Sequence, residues 1–109
     1  MNDVCIIGYG VVGQATAKVF GIQKYFDLKG SNITLQEAAR CRFIFLCLPT
    51  PVKDGHYDQG AITETIKQLV GYNASGIVIN RSTVTPGTAR NLQGQFNVPI
   101  VANPEFLTG

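Results

Sequence analysis

Val4-Cys5-Ile6-Ile7 is an unbroken apolar run stopped by Gly8, the pattern of a parallel strand covered on both faces. From Val11 to Phe20 the apolar positions Val12, Ala15, Val19 and Phe20 recur at helical spacing, and Gly21 closes the helix. Tyr25 to Leu28 reads as a second strand, followed by turn chemistry in Lys29-Gly30-Ser31-Asn32, with Ile33 as a stunted further strand. Thr34 to Glu37 is a capping-box pattern that opens a short helix through Arg40. Phe43 to Leu48 is the next buried strand, ended by Pro49, and a loop stiffened by Pro51 runs from Thr50 through Asp54-Gly55 to Gly60. Ile62, Ile66, Leu69 and Val70 mark one face of a helix that Gly71 ends, and Gly76 to Ile79 is another buried strand. Thr85-Pro86 supplies an N-cap and a first-turn proline for a helix to about Gln95, and Val98 to Val101 gives the last strand. Strands alternating with helices in this way predict βαβ units and one doubly wound α/β domain spanning 1–109.

A chain of 109 residues holds one such domain, and at that size roughly two-thirds of the unfolded surface is buried. The formal charge of +2 is spread over isolated Lys and Arg residues with no basic run, which argues against a nucleic-acid surface. No apolar stretch reaches the roughly 18 residues of a membrane span. Met1-Asn2-Asp3 leads straight into an apolar run without a basic n-region or a cleavage site. The expected address is cytoplasmic, with neither a membrane nor nucleic acid as partner. Cys5, Cys41 and Cys47 make an odd count without metal-ligand spacing, so buried, reduced thiols are expected and no metal. A catalytic thiol at Cys47 is the sharper alternative, but its apolar run favours inertness. His56, the sole histidine, is read as solvent-exposed.

The informative chemistry begins directly after the first strand, where Gly8-Tyr9-Gly10-Val11-Val12-Gly13 is a G-x-G-x-x-G. Gly8 permits the tight turn, Gly10 lets a pyrophosphate approach the backbone, and Gly13 lets the helix pack on the sheet. The helix start offers free N–H groups and the positive end of its dipole to phosphate. Asp27 lies 19 residues after Gly8, at the end of the second strand, close to the ~20 expected of a ribose-binding carboxylate. That combination reads as a Rossmann-type dinucleotide site. Asp27 favours NAD over NADP because a carboxylate accepts from a 2′-hydroxyl and repels a 2′-phosphate, although Lys29 two residues later offsets part of that repulsion.

In open parallel sheets ligands bind outside the carboxyl ends of the strands. The segments there are the glycine loop, Asp27, Pro49-Thr50-Pro51, Arg81-Ser82-Thr83-Val84 and Asn103-Pro104-Glu105-Phe106-Leu107. Each has an ordinary reading as a loop or a cap, but all are placed on one rim.

Leu48-Pro-Thr-Pro51, Ser82-Thr-Val-Thr-Pro-Gly-Thr88 and Asn103-Pro-Glu-Phe-Leu107, in order after the glycine loop, resemble the UDP-glucose/GDP-mannose 6-dehydrogenase family over the whole chain. That family oxidises the C6 alcohol of a nucleotide sugar to a carboxylate in two NAD-dependent steps, through a cysteine-linked thioester. The resemblance implies that Gly8 to Gly13 and Asp27 hold the adenosine half of NAD. It implies that Leu48, Pro49, Thr50 and Pro51 pass along the cofactor, and that Ser82, Thr83 and Val84 lie near its nicotinamide end. Thr83 would also order a water beside the reacting carbon. Glu105 matches the proton donor and acceptor, and Phe106, Leu107 and Thr108 match the lining of the sugar site; the substrate would be a UDP- or GDP-sugar.

The chain departs from that pattern in three ways. Only Lys29 to Arg42 separates the second strand from the strand leading to the proline loop, which shortens the far side of the adenosine pocket. Gly109 stands where a second glutamate is usual, four residues after Glu105. The family's central helix and its cysteine-bearing substrate domain do not follow. The expectation is therefore an N-terminal part of such a dehydrogenase, inactive by itself, that self-associates or docks onto a missing C-terminal half. A non-catalytic dinucleotide-binding module, and the NAD-binding domain of a 3-hydroxyacid or 6-phosphogluconate type dehydrogenase, stay open as alternatives.

Overall fold

The computed structural model describes residues 3–49, 52–57, 60–82, 94 and 99–102. In chain order these form β1 (Val4–Ile7), α1 (Val11–Phe20), β2 (Lys24–Phe26), α2 (Leu35–Ala39), β3 (Phe43–Leu46), β4 (Val52–Lys53), β5 (His56–Tyr57), α3 (Gly60–Gly71), β6 (Ile77–Asn80) and β7 (Ile100–Ala102). Five strands make one parallel sheet in the order β2-β1-β3-β6-β7. This is the dinucleotide-binding order 3-2-1-4-5-6 with strand 3 left out, which coincides with the other common doubly wound order, 2-1-3-4-5.

Alternation along the central strands divides the core in two. Cys5, Ile7, Ile44, Leu46 and Val78 pack with Ala38 and Ala39 of α2 and with Ile62, Ile66 and Leu69 of α3. Val4, Ile6, Phe45 and Cys47 face the other way and meet Ala17 of α1. All four residues of β1 are buried, which is why that strand shows no polar alternation. α2 carries both hydrogen bonds of the expected capping box, between Thr34 and Glu37. Gly21 ends α1 in the left-handed conformation, with φ +66°.

Several expectations are corrected. α1 docks through Gly13, Thr16 and Ala17, while Val19 is 76% exposed and Phe20 half-exposed. The small residues win because Gly13 abuts the Gly8 carbonyl, where an added Cβ would lie 2.0 Å from the oxygen. β2 stops at Phe26 and β3 at Leu46, each two residues short of the reading from apolar pattern. The stretch after Pro51 carries a two-stranded antiparallel ribbon, Val52↔Tyr57 and Lys53↔His56, where only a loop was expected. Its turn residues Asp54 and Gly55 have φ +53° and +79°, the two positive values of a type I′ hairpin turn. His56 belongs to that ribbon. The last strand is Ile100–Ala102; of the helix expected from Thr85 to Gln95, the described residue Gly94 is helical.

Ile33 forms no strand. The segment around it folds back on the outer edge of β2 instead. Tyr25 donates its N–H to Asn32 Oδ1 at 2.8 Å, and Asn32 Nδ2 donates to the Gln23 carbonyl at 2.6 Å. The backbone N–H groups of Asn32 and Ile33 donate to the Tyr25 carbonyl, and Ser31 Oγ accepts from the Asp27 N–H. Ser31, Asn32 and the Ile33 N–H thus satisfy an edge that a further strand would otherwise pair.

Candidate functional site

The chain order reverses between β1 and β3, and the crevice outside their carboxyl ends is where a doubly wound sheet takes its ligand. A cleft of about 920 Å³ opens there. Its near wall is the glycine loop. Gly8, with φ +95°, donates its N–H to the Phe26 carbonyl at 2.9 Å. A Cβ at Gly8 would lie 2.4 Å from the Cys47 carbonyl oxygen, so the turn fits against the end of β3 only without a side chain. Gly10 is the N-cap of α1 and brings no side-chain cap; the first turn carries no acid. The first N–H groups of a helix have no partner within it, and here Gly10, Val11 and Val12 at that helix start line the crevice. Nothing lies within 4 Å of where a Cβ on Gly10 would stand.

Asp27 is tied to that loop. Its carboxylate accepts the Tyr9 N–H at 2.6 Å and the Lys29 N–H at 3.0 Å. These bonds, the one from Lys29 first and that from Tyr9 second, hold the Asp27 carboxyl below its usual range. Tyr9 also stacks on Tyr25, with ring centroids 3.9 Å apart and planes 13° off parallel. A depressed carboxyl pKa stabilises the fold above the unfolded-state value, and that contribution is lost as pH falls through the folded-state value. The Tyr9 amide resonance is therefore expected to titrate with a midpoint below 3.8, the ordinary value for aspartate. A midpoint at or above 3.8 in an NMR pH series would contradict this tie.

The floor of the cleft joins the ends of β3 and β6. Ser82 Oγ accepts the Leu48 N–H at 2.8 Å and donates to the Leu46 carbonyl, and the Ser82 N–H goes to Asn80 Oδ1 at 3.1 Å. The segment after β6 therefore fixes the entry to the proline loop. Arg81 adds a cation at the floor, with its guanidinium carbon 5.9 Å from the Phe20 ring centroid.

Of the expected site residues, Gly8, Tyr9, Gly10, Val11, Val12, Asp27, Leu48, Pro49 and Ser82 line this one cleft. Gly13 is buried behind it, against Gly8. Thr50, Pro51, Thr83, Val84, Glu105, Phe106, Leu107 and Thr108 lie outside the described residues. Sequence reasoning missed Tyr25, Leu28 and Leu35 as lining, and it missed the outward stripe of α3: Ala61, Glu64, Thr65 and Gln68. The i, i+3, i+4, i+7 spacing of that stripe was a usable signal, but a polar helix face ordinarily means solvent.

The three cysteines are buried and unpaired with one another by any disulfide. Burial pushes the Cys5 thiol far up, and neighbouring Cys41 pushes it further, the reverse of what activates a nucleophile. Among the described residues, no three His, Cys, Asp or Glu side chains group as a metal site, and no helix is long and apolar enough to cross a membrane.

A glycine turn, a helix start and an acid at the switch point of a parallel sheet define a dinucleotide-binding α/β domain. The chain belongs to the UDP-glucose/GDP-mannose dehydrogenase family, whose NAD-binding domain model matches residues 22–109. The cofactor of this domain is NAD, and the family is one of oxidoreductases. The match begins after the glycine loop, so the loop is a separate observation. Family membership also sets aside the 3-hydroxyacid and 6-phosphogluconate alternatives.

Among solved structures, the UDP-D-ManNAc dehydrogenase of Pyrococcus horikoshii superposes with a TM-score of 0.71 at 16% identity, over 96% of this chain and 36% of that one. The ligand-bound minor L-lactate dehydrogenase of Enterococcus mundtii gives 0.72 at 14% identity, over 88% and 42%. At such identities the likeness concerns the fold. An uncharacterized protein of Methanocaldococcus jannaschii is 38% identical over 71 aligned positions, covering 59% of this chain and 8% of that protein. The chain thus spans less than half the length of these relatives.

Proposed function

We propose that this chain is the cofactor-holding part of a nucleotide-sugar 6-dehydrogenase, which oxidises the C6 alcohol of a UDP- or GDP-sugar to the uronic acid. The observation that carries the NAD half is the Asp27 carboxylate, held at the cleft rim by the Tyr9 and Lys29 N–H groups. Two accepted bonds leave lone pairs on both oxygens, enough to accept from the ribose hydroxyls. Gly10, with open space beside it, leaves room for the pyrophosphate at the start of α1. Leu48, Pro49, Thr50 and Pro51 would run along the dinucleotide, and Ser82, Thr83 and Val84 would flank its nicotinamide end. Bound NAD supplies the hydride acceptor.

The substrate half rests on the family match and on Asn103-Pro-Glu-Phe-Leu107, which lies within the matched stretch. The nucleotide-sugar substrate named for the Pyrococcus horikoshii neighbour supports it. Glu105 would exchange a proton with the sugar alcohol, directly or through water, and Thr83 would orient that water. Phe106, Leu107 and Thr108 would line the sugar. All three thiols are buried, and that of Cys47, at the cleft, is turned onto Thr16 Oγ1, which suits none of them to take a sugar aldehyde into a covalent intermediate. The 109 residues alone are therefore expected to bind NAD without producing the acid, and to act as a non-catalytic module until joined to a part that brings the nucleophile.

NADH formation from UDP-glucose and GDP-mannose is the test. The 109-residue chain should give none, and a longer protein carrying it should give two NADH per sugar. Turnover to the acid by the chain alone, or oxidation of neither sugar by the longer protein, would refute the assignment. Cofactor choice adds a second expectation: Asp27→Ala should weaken NADH and narrow its advantage over NADPH by about ten- to hundredfold, the worth of a charge-assisted hydrogen bond. An unchanged ratio in a fluorescence titration would remove Asp27 from the ribose.

A further inference from the structure

α3 has two working faces. Ile62, Ile66 and Leu69 enter the core, and Ala61, Glu64, Thr65 and Gln68 line the cleft. Across the cleft stands Leu28, the residue after Asp27, which is 95% exposed. Leu35, half-buried, lines the same end. Leu28 and Leu35 together leave apolar surface at that end of the cleft, which a flat apolar ring would cover.

Resting on the NAD-binding reading above, we infer that Glu64 and Gln68 form a base-reading edge that selects adenine over hypoxanthine. With the pyrophosphate at Gly10 and the ribose at Asp27, the base points away from the glycine loop, toward Leu28, Leu35 and α3. The leucines then supply apolar cover for the ring faces. Gln68 Nε2 donates to Glu64 Oε1 at 3.3 Å, so the two side chains stand together as one unit. That unit presents a carboxylate acceptor beside an amide donor. Adenine offers the complement, an amino donor at N6 next to an acceptor at N1. Hypoxanthine reverses both positions: its O6 would face the carboxylate and its N1–H would face the amide.

Titration of NADH and its 6-deamino analogue, which carry the same nicotinamide fluorophore, reads the effect directly. The unmutated chain should prefer NADH by about tenfold, the low end for a charge-assisted bond at an exposed position. Glu64→Gln should cut that preference to under about threefold, because a carboxamide can turn its N–H toward O6. Glutamine keeps the length and helix propensity of glutamate, so α3 should survive, as a circular dichroism melt would report. Lys67→Gln, a charge change on an exposed α3 residue outside the cleft lining, should leave the preference intact. Equal affinities in the unmutated chain, or an unchanged preference in Glu64→Gln, would overturn the inference. Binding of neither nucleotide would overturn the NAD reading itself, and the inference with it.

Discussion

Gly10→Val should abolish NADH binding while the domain stays folded. The position has φ −82° and ψ −151°, outside the left-handed region that favours glycine. No protein atom lies within 4 Å of the added Cβ, so the fold has nothing to displace. Valine is a poorer N-cap than glycine, which costs up to about 1 kcal/mol. The branched side chain would instead occupy the crevice at the start of α1, where the pyrophosphate must approach the backbone. A loss of a hundredfold or more in affinity is expected, roughly 3 kcal/mol. Isothermal titration and a thermal melt on one preparation check both halves. Normal binding would reduce the glycine loop to a structural turn, and a collapsed melt would show that the open space is needed by the protein.

Gly13→Ala should do the opposite and cost the fold itself. In a helix interior this substitution ordinarily stabilises by about 0.5–1 kcal/mol. Here the new methyl would sit 2.0 Å from the Gly8 carbonyl oxygen and 3.0 Å from its carbon. Both atoms are backbone, held by the Gly8 N–H bond to Phe26 and by the end of β3, so neither can swing aside. Relief requires α1 to lift from the sheet, opening the packing of Thr16 and Ala17. The cost is expected at about 3 kcal/mol or more, at or above the top of the usual overpacking range. That is a large share of the 5–15 kcal/mol that typically holds a domain, and it corresponds to a fall in melting temperature of about 10 °C or more. An unshifted melt would show that the helix has freedom the packing does not suggest.

The same two glycines show what was legible in the chain and what was not. β1 and the glycine loop could be read directly, because an apolar run ending in G-x-G-x-x-G has few other uses. The docking face of α1 could not. Val12, Ala15, Val19 and Phe20 carry the hydrophobic weight, yet contact with Gly8 forces the helix in through Gly13, Thr16 and Ala17. Strand ends were overrun twice. Leu28 lines the cleft, and Cys47 and Leu48 pack against the two halves of the core just beyond the sheet ladder, and apolar pattern alone extends a strand through such residues. The β4–β5 ribbon has two residues per strand, too few for alternation to register, and only Asp54-Gly55 hinted at it.

Other site features needed coordinates. Asn32 replaces a sheet neighbour through side-chain bonds to Tyr25 and Gln23, and no sequence rule anticipates that. Asn80 is a buried polar residue whose Oδ1 accepts the Ser82 N–H, while its Nδ2 finds no partner among the described residues. Glu64 and Gln68 read as an ordinary solvated helix face, and only the position of α3 across from Asp27 turns them toward a ligand. Residues at the carboxyl ends of the strands were readable, whereas contributions from a helix face or from side-chain bonds between loops were not.

The most direct measurement is a fluorescence titration of the unmutated chain with NADH and with NADPH. The cleft and Asp27 predict saturable binding of NADH at one site per chain, about tenfold or more tighter than NADPH. Equal affinity for the two, or no saturable binding of NADH, would contradict the account.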